Sequence, residues 1–181
     1  LPGYGKPEPT DLNGPHEYDM SAHASGGGWG GSEDPRTVII GDRMYMTYTA
    51  FEGWDNMRIG VTSISMDDLE QGRWRWRRPR LISPAKSRAK NWVFFPEKIN
   101  GKYAMIGRQD NENLYLIYSD DLYSWGEGVA FFKPQFPWEF VQIGNCGSPI
   151  ELDEGWLLLT HGVGPVRRYS IGAALLDKTD P

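Results

Sequence analysis

The stretch FPEKINGKYAMI at residues 95–106 decides the fold class, because it contains two short apolar runs joined by a tight turn. Asn100-Gly101 occupies the turn, and Asn-Gly between apolar runs is the strongest short-range signal of a β-hairpin. A third apolar run, LYLIY, follows at residues 114–118. The stretch therefore predicts three linked antiparallel strands.

The same plan occurs three times, and each copy begins near a proline: Pro35, Pro96 and Pro149. These prolines are 61 and 53 residues apart, slightly more than the about 40–50 residues of a usual propeller blade. Three linked strands per repeat are typical of such blades. Three repeats cannot close a ring, so we expect further blades outside this sequence or near its first loop. An open β-sandwich with coincidental proline spacing is the alternative.

Composition agrees with an all-β fold. The chain has 22 Gly, 13 Pro, 8 Trp, 9 Tyr and 7 Phe in 181 residues, which favours many short strands and turns. No segment has a sustained 3.6-residue apolar period, so helices should be short or absent. The length is short for a whole propeller, and the first residue is Leu1. We therefore expect a partial propeller domain over residues 1–181, with a long loop at 1–31 and blade repeats at 32–181.

The net charge of −5 provides no general field that would attract nucleic acid or an anionic membrane. One basic run, residues 73–80, alternates arginines with Trp74 and Trp76. This alternation has two interpretations, a nucleic-acid stacking surface or a strand with one solvated face. Cys146 is the only cysteine, so no intrachain disulfide forms. No apolar run approaches a membrane span of about 18 residues, and we expect a cytoplasmic protein, although a signal peptide could precede Leu1.

The repeats also predict where a site should lie. In a propeller the first strands of successive blades face one central channel, so residues early in each repeat converge there. These positions are residues 32–36, 90–98 and 142–149, with Arg108 and His161 on the strands that follow. They include carboxylates, cations and a histidine, and the chain has many aromatic residues that can stack on sugar rings.

Asp34 is the candidate acid at this site. An aspartate before Pro35 is expected to be extended, and the neighbouring carboxylate of Glu33 would help to keep one of the two protonated as a general acid. The alternative is a turn aspartate that accepts backbone hydrogen bonds, with Arg36 as a structural partner of Glu33.

Several strings together resemble glycoside hydrolase family 130. They are GSEDPR at 31–36, MTYTA at 46–50, FPEKINGKY at 95–103, GWLLLTHGV at 155–163 and IGAALLD at 171–177, and the match covers about residues 30–181. The resemblance implies a five-bladed β-propeller with one of two activities. These are inverting phosphorolysis of mannosides and inverting hydrolysis of β-mannosides.

The resemblance also implies residue roles. Asp34 would donate the proton to the leaving oxygen, directly or through a sugar hydroxyl. The implied phosphate-binding residues are Lys90, Asn91, Gln142, His161 and Tyr169. The expected substrate-binding residues are Glu33, Arg36, Glu97, Lys98 and Arg108.

Three positions depart from the family pattern. Lys90 replaces an arginine, which keeps the charge and loses the bidentate fork. Gln142 stands where phosphorylases have lysine and the hydrolases tend to have glutamate. Gly107 precedes Arg108 where many phosphorylases have histidine.

The cations decide between the two activities. An inverting hydrolase needs an acid and a second carboxylate as base, whereas a phosphorylase needs one acid and cations that hold phosphate. Lys90, Arg108 and His161 supply cations, and positions 90 and 142 have no carboxylate. We therefore predict an inverting phosphorylase that cleaves β-mannosides with inorganic phosphate and releases mannose 1-phosphate. A β-mannosidase and a non-catalytic sugar-binding propeller are the alternatives.

The expected partners follow from this prediction. They are a β-mannoside oligosaccharide and inorganic phosphate as co-substrate, without nucleic acid or membrane, and a homo-oligomer is left open. We expect no other cofactor. We also expect no metal, because His16, His23 and His161 show no paired ligand spacing.

Overall fold

The computed structural model describes residues 31–53, 56–85 and 87–181. These residues form three four-stranded antiparallel sheets. The only α-helix among them is α1 (Met66–Glu70), and two single 3₁₀ turns lie at Pro137–Glu139 and Pro165–Arg167. The predicted all-β class is confirmed. The predicted loop at 1–31 lies outside the described residues except for Gly31.

The first sheet contains β1 (Gly31–Ile40), β2 (Arg43–Phe51), β3 (Met57–Ser65) and β4 (Arg80–Leu81), in that spatial order. Most residues of β2 and β3 are buried, whereas β1 mixes half-buried and exposed residues. β4 pairs with β3 over only two residues. β1 and β2 correspond to the first two strands predicted for this repeat, and each is longer than predicted.

The basic run at residues 73–80 is not a strand as predicted, because only Arg80 belongs to β4. The Arg77 amide donates to the Ser63 carbonyl at 2.8 Å. Pro79 has no amide hydrogen to continue a ladder. The run therefore crosses the end of the first sheet as an irregular segment.

The second sheet contains β5 (Lys90–Phe94), β6 (Tyr103–Arg108), β7 (Leu114–Ser119) and β8 (Val129–Phe132), again in chain order. β6 and β7 match the second and third apolar runs predicted for this repeat. The first strand lies at β5, earlier than the predicted residues 95–99, and Pro96 interrupts the ladder after Phe94.

The predicted Asn100-Gly101 turn is confirmed. Both residues have positive φ, 49° and 80°, as a type I′ turn requires. The flanking residues Ile99 and Lys102 exchange two backbone hydrogen bonds of 2.9 and 3.0 Å. The turn therefore fixes the register in which β6 returns along the sheet.

The third sheet contains β9 (Gln142–Asn145), β10 (Ile150–Glu151), β11 (Trp156–Val163) and β12 (Tyr169–Leu176). β12 pairs with one edge of β11, and β9 and β10 both pair with β11 as well. Since a strand has two edges, β9 and β10 form two halves of one interrupted first strand.

The sheets stack in chain order around two hydrophobic cores. Tyr45 and Phe94 pack in the core between the first and second sheets, and Phe95 and Trp156 pack in the core between the second and third. Successive residues of an extended chain point to opposite faces, so Phe94 and Phe95 anchor the middle sheet to both neighbours. Three stacked sheets are present rather than the two of a sandwich, and no ring closes within the described residues.

No helix in the described part of the chain is both long enough and apolar enough to cross a membrane.

Candidate active site

The first strand of each sheet is irregular at the same place. The β1–β2 register shifts between Glu33 and Arg36, and the β5–β6 register shifts between Lys90 and Val93. In the third sheet the interruption between β9 and β10 lies at the matching position. Such bulges redirect side chains out of a ladder, and they are common next to active sites.

Two bulge residues have a left-handed backbone: φ is 52° at Asp34 and 59° at Asn91. The expected extended conformation of Asp34 is therefore wrong. The bulge overrides the preference imposed by Pro35, and aspartate and asparagine are among the residues that tolerate positive φ best. Asp34 and Asn91 are thus residue types that tolerate the left-handed backbone of the bulges and that also carry the polar groups predicted for the site.

Side chains satisfy the carbonyl groups that the bulges remove from the ladders. The Asn91 carbonyl accepts from Asn145 Nδ2 at 2.6 Å, and the Trp92 carbonyl accepts from Thr47 Oγ1 at 2.6 Å. The Asp34 carbonyl accepts from Arg36 Nη1 at 2.8 Å. Because Asn145 and Thr47 belong to neighbouring sheets, the bulge of the middle sheet is braced from both sides.

The bulges border one cleft of about 850 Å³. Nine of the eleven predicted site residues line it: Glu33, Asp34, Arg36, Lys90, Asn91, Arg108, Gln142, His161 and Tyr169. The other two, Glu97 and Lys98, are exposed and do not line this cleft, and Lys98 Nζ lies 4.4 Å from the centroid of the Tyr103 ring. Their predicted contact with substrate stays a prediction.

Four further lining residues were missed from the sequence: Asn111, Cys146, Arg167 and Ile171. Cys146 follows β9 in the interruption of the first strand, so the repeat alignment could have indicated it. Asn111 lies between β6 and β7, and Arg167 lies in the equivalent connection between β11 and β12. No sequence signal marked either residue.

The two carboxylates of the cleft have different surroundings. Glu33 Oε2 lies 3.1 Å from Lys90 Nζ, and both side chains are largely buried. The Asp34 carboxylate has no hydrogen-bond or ion-pair partner among the described residues. Glu33 and Lys90 therefore neutralise each other, while Asp34 remains available to a bound ligand.

Arg108 is a buried cation with unused donors. Its side chain is 4% exposed, and its Nε and Nη1 have no hydrogen-bond partner among the described residues. The pKa of Arg108 is lowered to about 10, mainly by burial and also by the nearby charge of Arg36, while Tyr169 and Asp34 oppose the shift. The guanidinium thus stays charged at neutral pH. Arg36 Nε is also buried without a partner, so two guanidinium groups that line the cleft each have an unsatisfied buried donor.

His161 lies on β11 close to both arginines. Burial lowers its pKa to about 4, and the positive charges of Arg108 and Arg36 add to the effect. Its ring is 5.9 Å from that of Tyr169, and its Nδ1 is 3.8 Å from Cys146 Sγ. At neutral pH His161 is uncharged, so it offers one N–H donor rather than the cation expected from the sequence.

Gly107 is required by the packing of Trp92. A Cβ at position 107 would lie 2.0 Å from Trp92 Cδ1, and Trp92 is 1% exposed. The Trp92 indole also donates to the Arg108 carbonyl at 2.9 Å. A histidine at position 107 would displace this indole, which explains in physical terms why this chain has glycine there.

Among the described residues, no group of three or more His, Cys, Asp and Glu side chains could hold a metal ion.

Comparisons with known proteins identify the family of this chain. A family model of glycoside hydrolase family 130, described as beta-1,4-mannooligosaccharide phosphorylase, matches residues 20–181. The 1,2-beta-oligomannan phosphorylase of Thermoanaerobacter sp. (strain X514) is 37% identical over 155 residues, which cover 83% of this chain and 49% of the relative. The beta-1,4-mannooligosaccharide phosphorylase of Ruminococcus albus is 35% identical over 165 residues, covering 84% and 46%.

A solved structure shows the same fold. The beta-1,2-mannobiose phosphorylase from Listeria innocua, in complex with beta-1,2-mannobiose, superposes with a TM-score of 0.70 at 28% identity. The superposition covers 83% of this chain and 42% of that chain.

Three stacked antiparallel sheets border a cleft in which the unpaired carboxylate of Asp34 lies near the guanidinium groups of Arg36 and Arg108. The chain belongs to glycoside hydrolase family 130. It spans about half the length of the curated relatives that it matches.

Asp34→Asn should abolish most of the activity and preserve the fold. Asparagine keeps the size of the side chain and tolerates the positive φ, but it has no proton to donate. We expect turnover to fall by about two to four orders of magnitude, measured by sugar release, with an unchanged unfolding midpoint. A near-normal rate would remove Asp34 from the mechanism.

His161 should titrate near pH 4 in the folded protein. An unfolded histidine takes up its proton near 6.5, so the His161 contribution should make the folded state less stable as pH falls from about 6.5 towards 4. NMR titration of the imidazole C–H resonance, assigned with a His161→Gln variant, measures the midpoint. Removing one cation in Arg108→Met should raise it. A midpoint of 6.5 or higher in the unaltered protein would contradict the described electrostatics.

Proposed function

We propose that this chain is part of an inverting glycoside phosphorylase that cleaves β-mannosides with inorganic phosphate. The observation that carries the proposal is the buried Arg108 guanidinium, which has unused donors and no carboxylate partner among the described residues. A buried charge without a partner is costly. A phosphate oxyanion would supply the missing acceptor and charge, and guanidinium groups bind phosphate through paired hydrogen bonds.

The surrounding residues suit the same anion. Arg36 supplies a second guanidinium, Asn91 a buried amide, and neutral His161 an N–H donor that needs no proton uptake. Tyr169 lies beside His161 at the mouth of the cleft. Gln142 also lines the cleft and adds no charge. Phosphate would therefore be held by arginines and neutral donors, with Lys90 occupied by Glu33.

In the proposed reaction a phosphate oxygen attacks the anomeric carbon of the mannosyl residue from the face opposite the glycosidic bond. The bond between that carbon and the leaving oxygen breaks, and its electron pair stays on the oxygen. Asp34 protonates the oxygen, directly or through a sugar hydroxyl, as the family resemblance implies. The proton lost by the attacking phosphate restores Asp34 through solvent. Inversion of a β-linkage then gives α-mannose 1-phosphate and the shortened saccharide.

The carboxylates argue against hydrolysis. An inverting hydrolase needs a second carboxylate to activate water. Within the described residues that line the cleft, the other carboxylate is Glu33, and it is paired with Lys90 at 3.1 Å. Phosphate needs no such base, because it is already a competent nucleophile. The relatives named above as phosphorylases, at 35–37% identity, support the same reaction.

We also propose that the three sheets are three blades of a five-bladed propeller. Two features support this arrangement: the sheets stack face to face in chain order, and their first strands all border the cleft. The remaining blades would come from the rest of the protein.

Cleavage of a mannobiose should depend on inorganic phosphate. With the complete protein we expect mannose 1-phosphate as product, detected by ³¹P NMR, and a rate that falls to background without phosphate. A panel of β-1,2- and β-1,4-mannobiose identifies the linkage. Arg108→Gln should raise the phosphate concentration needed for half-maximal rate by at least about tenfold, since a charge-assisted hydrogen bond is worth roughly 1.5–3 kcal/mol. The matched control Arg75→Gln, an exposed arginine outside the cleft, should not change it.

Free mannose released at the same rate with and without phosphate would contradict phosphorolysis and establish a β-mannosidase. Absence of any cleavage together with binding of the mannobiose would instead support a sugar-binding protein.

A further inference from the structure

A second pocket, of about 610 Å³, lies at the β3–β4 edge of the first sheet. Residues 77–80 form one wall, Thr62 and Ser63 of β3 form the floor, and Tyr123, from the connection between β7 and β8, closes the pocket. It shares no lining residue with the cleft among the described residues.

The basic run divides into two halves with different partners. Arg73 forms ion pairs with Asp67 and Asp68, and Arg75 Nη1 lies 4.0 Å from Asp68 Oδ1. The second half, Arg77, Arg78 and Arg80, lines the pocket, and none of its guanidinium groups has an ion-pair partner among the described residues. The unneutralised half of the run is therefore the half that faces the pocket.

A fourth arginine adds to this charge. Arg43 lies behind the floor, with Nε and Nη2 at 3.3 and 3.2 Å from Ser63 Oγ. It also has no ion-pair partner among the described residues. A chain with a net charge of −5 thus concentrates four arginines around one pocket, and no carboxylate lines it. Such a local potential favours an anionic ligand.

The pocket is held in shape before any ligand binds. The Thr62 hydroxyl donates to the Arg77 carbonyl at 2.6 Å, and the Arg77 amide donates to the Ser63 carbonyl at 2.8 Å. Arg80 lies over the Tyr123 ring, with its guanidinium carbon 4.7 Å from the ring centroid. These contacts fix the segment that carries the arginines, so less conformational entropy is lost on binding.

We propose that this pocket is a second ligand site that binds a sugar phosphate. The guanidinium groups of Arg77 and Arg78 match the geometry of a phosphate monoester. The volume is within the range of pockets for small organic ligands, far more than a free phosphate ion fills. The ring of Tyr123, which lines the pocket, suits the apolar face of a sugar. The proposal is independent of the reaction at the cleft.

Titration calorimetry of the complete protein with mannose 6-phosphate tests the proposal. We expect the double variant Arg77→Gln/Arg78→Gln to bind one molecule fewer than the unaltered protein, or at that site at least about tenfold more weakly. Arg75→Gln removes an arginine of the same run that is paired with Asp68, and it should leave the stoichiometry unchanged. Arg78→Lys keeps the charge and loses the fork, so it should weaken binding less than Arg78→Gln does.

Three results would overturn the proposal. An unchanged isotherm in the double variant would exclude the pocket as a site. Equally tight binding of unphosphorylated mannose would exclude an anion site, and equally tight binding of inorganic phosphate alone would exclude a sugar phosphate.

A parallel titration with mannose 1-phosphate identifies which sugar phosphate the pocket prefers. Tighter binding than mannose 6-phosphate indicates the proposed product of the cleft, and weaker binding indicates a sugar phosphate made by another reaction. Because binding is measured without turnover, failure of phosphorolysis leaves this test intact.

Discussion

The arrangement of the three sheets depends on the buried side chain of Asn145. Its amide donates to the Asn91 carbonyl at 2.6 Å and to the Ile106 carbonyl at 3.2 Å, both in the middle sheet. The backbone carbonyl of Asn145 accepts from Arg36 Nη2 of the first sheet at 3.4 Å. One fully buried residue of the third sheet thus contacts both other sheets at their bulges. Loss of its amide would remove two buried hydrogen bonds, each worth about 0.5–1.5 kcal/mol.

The hydrogen bonds of Asn145 help to explain how the cleft keeps a strained backbone and buried arginine side chains. Positive φ at Asp34 and Asn91 and burial of Arg108 and Arg36 each cost free energy. They persist because the surrounding hydrogen bonds and the two hydrophobic cores over-determine the backbone. An anion bound to the arginines would offset part of this cost, and its stabilisation of the folded state would grow with the logarithm of the anion concentration above the dissociation constant. In the proposed function, folding and anion binding are therefore coupled through the same residues.

Local chemistry made part of this structure predictable. The Asn100-Gly101 turn requires positive φ, which few other residue pairs adopt. The threefold repeat located eight of the nine predicted residues that line the cleft, and the family resemblance added Tyr169. The bulges were not predictable, because hydrogen bonds between distant segments hold them: Thr47 donates to the Trp92 carbonyl, and Arg36 donates to the Asn145 carbonyl. The short strands β4, β8 and β9 have too few residues for a period to be visible. The charge of His161 depends on its burial beside two arginines, which a single sequence does not display.

The central claim is that the buried guanidinium of Arg108 recognises phosphate beside the acid Asp34. A crystal structure of the complete protein grown with inorganic phosphate tests it most directly. We predict a phosphate oxygen at hydrogen-bonding distance, about 2.7–3.2 Å, from Arg108 Nε or Nη1, with Asn91 or His161 donating to the same ion. A carboxylate from another part of the protein paired with Arg108, and no phosphate in the cleft, would contradict the account.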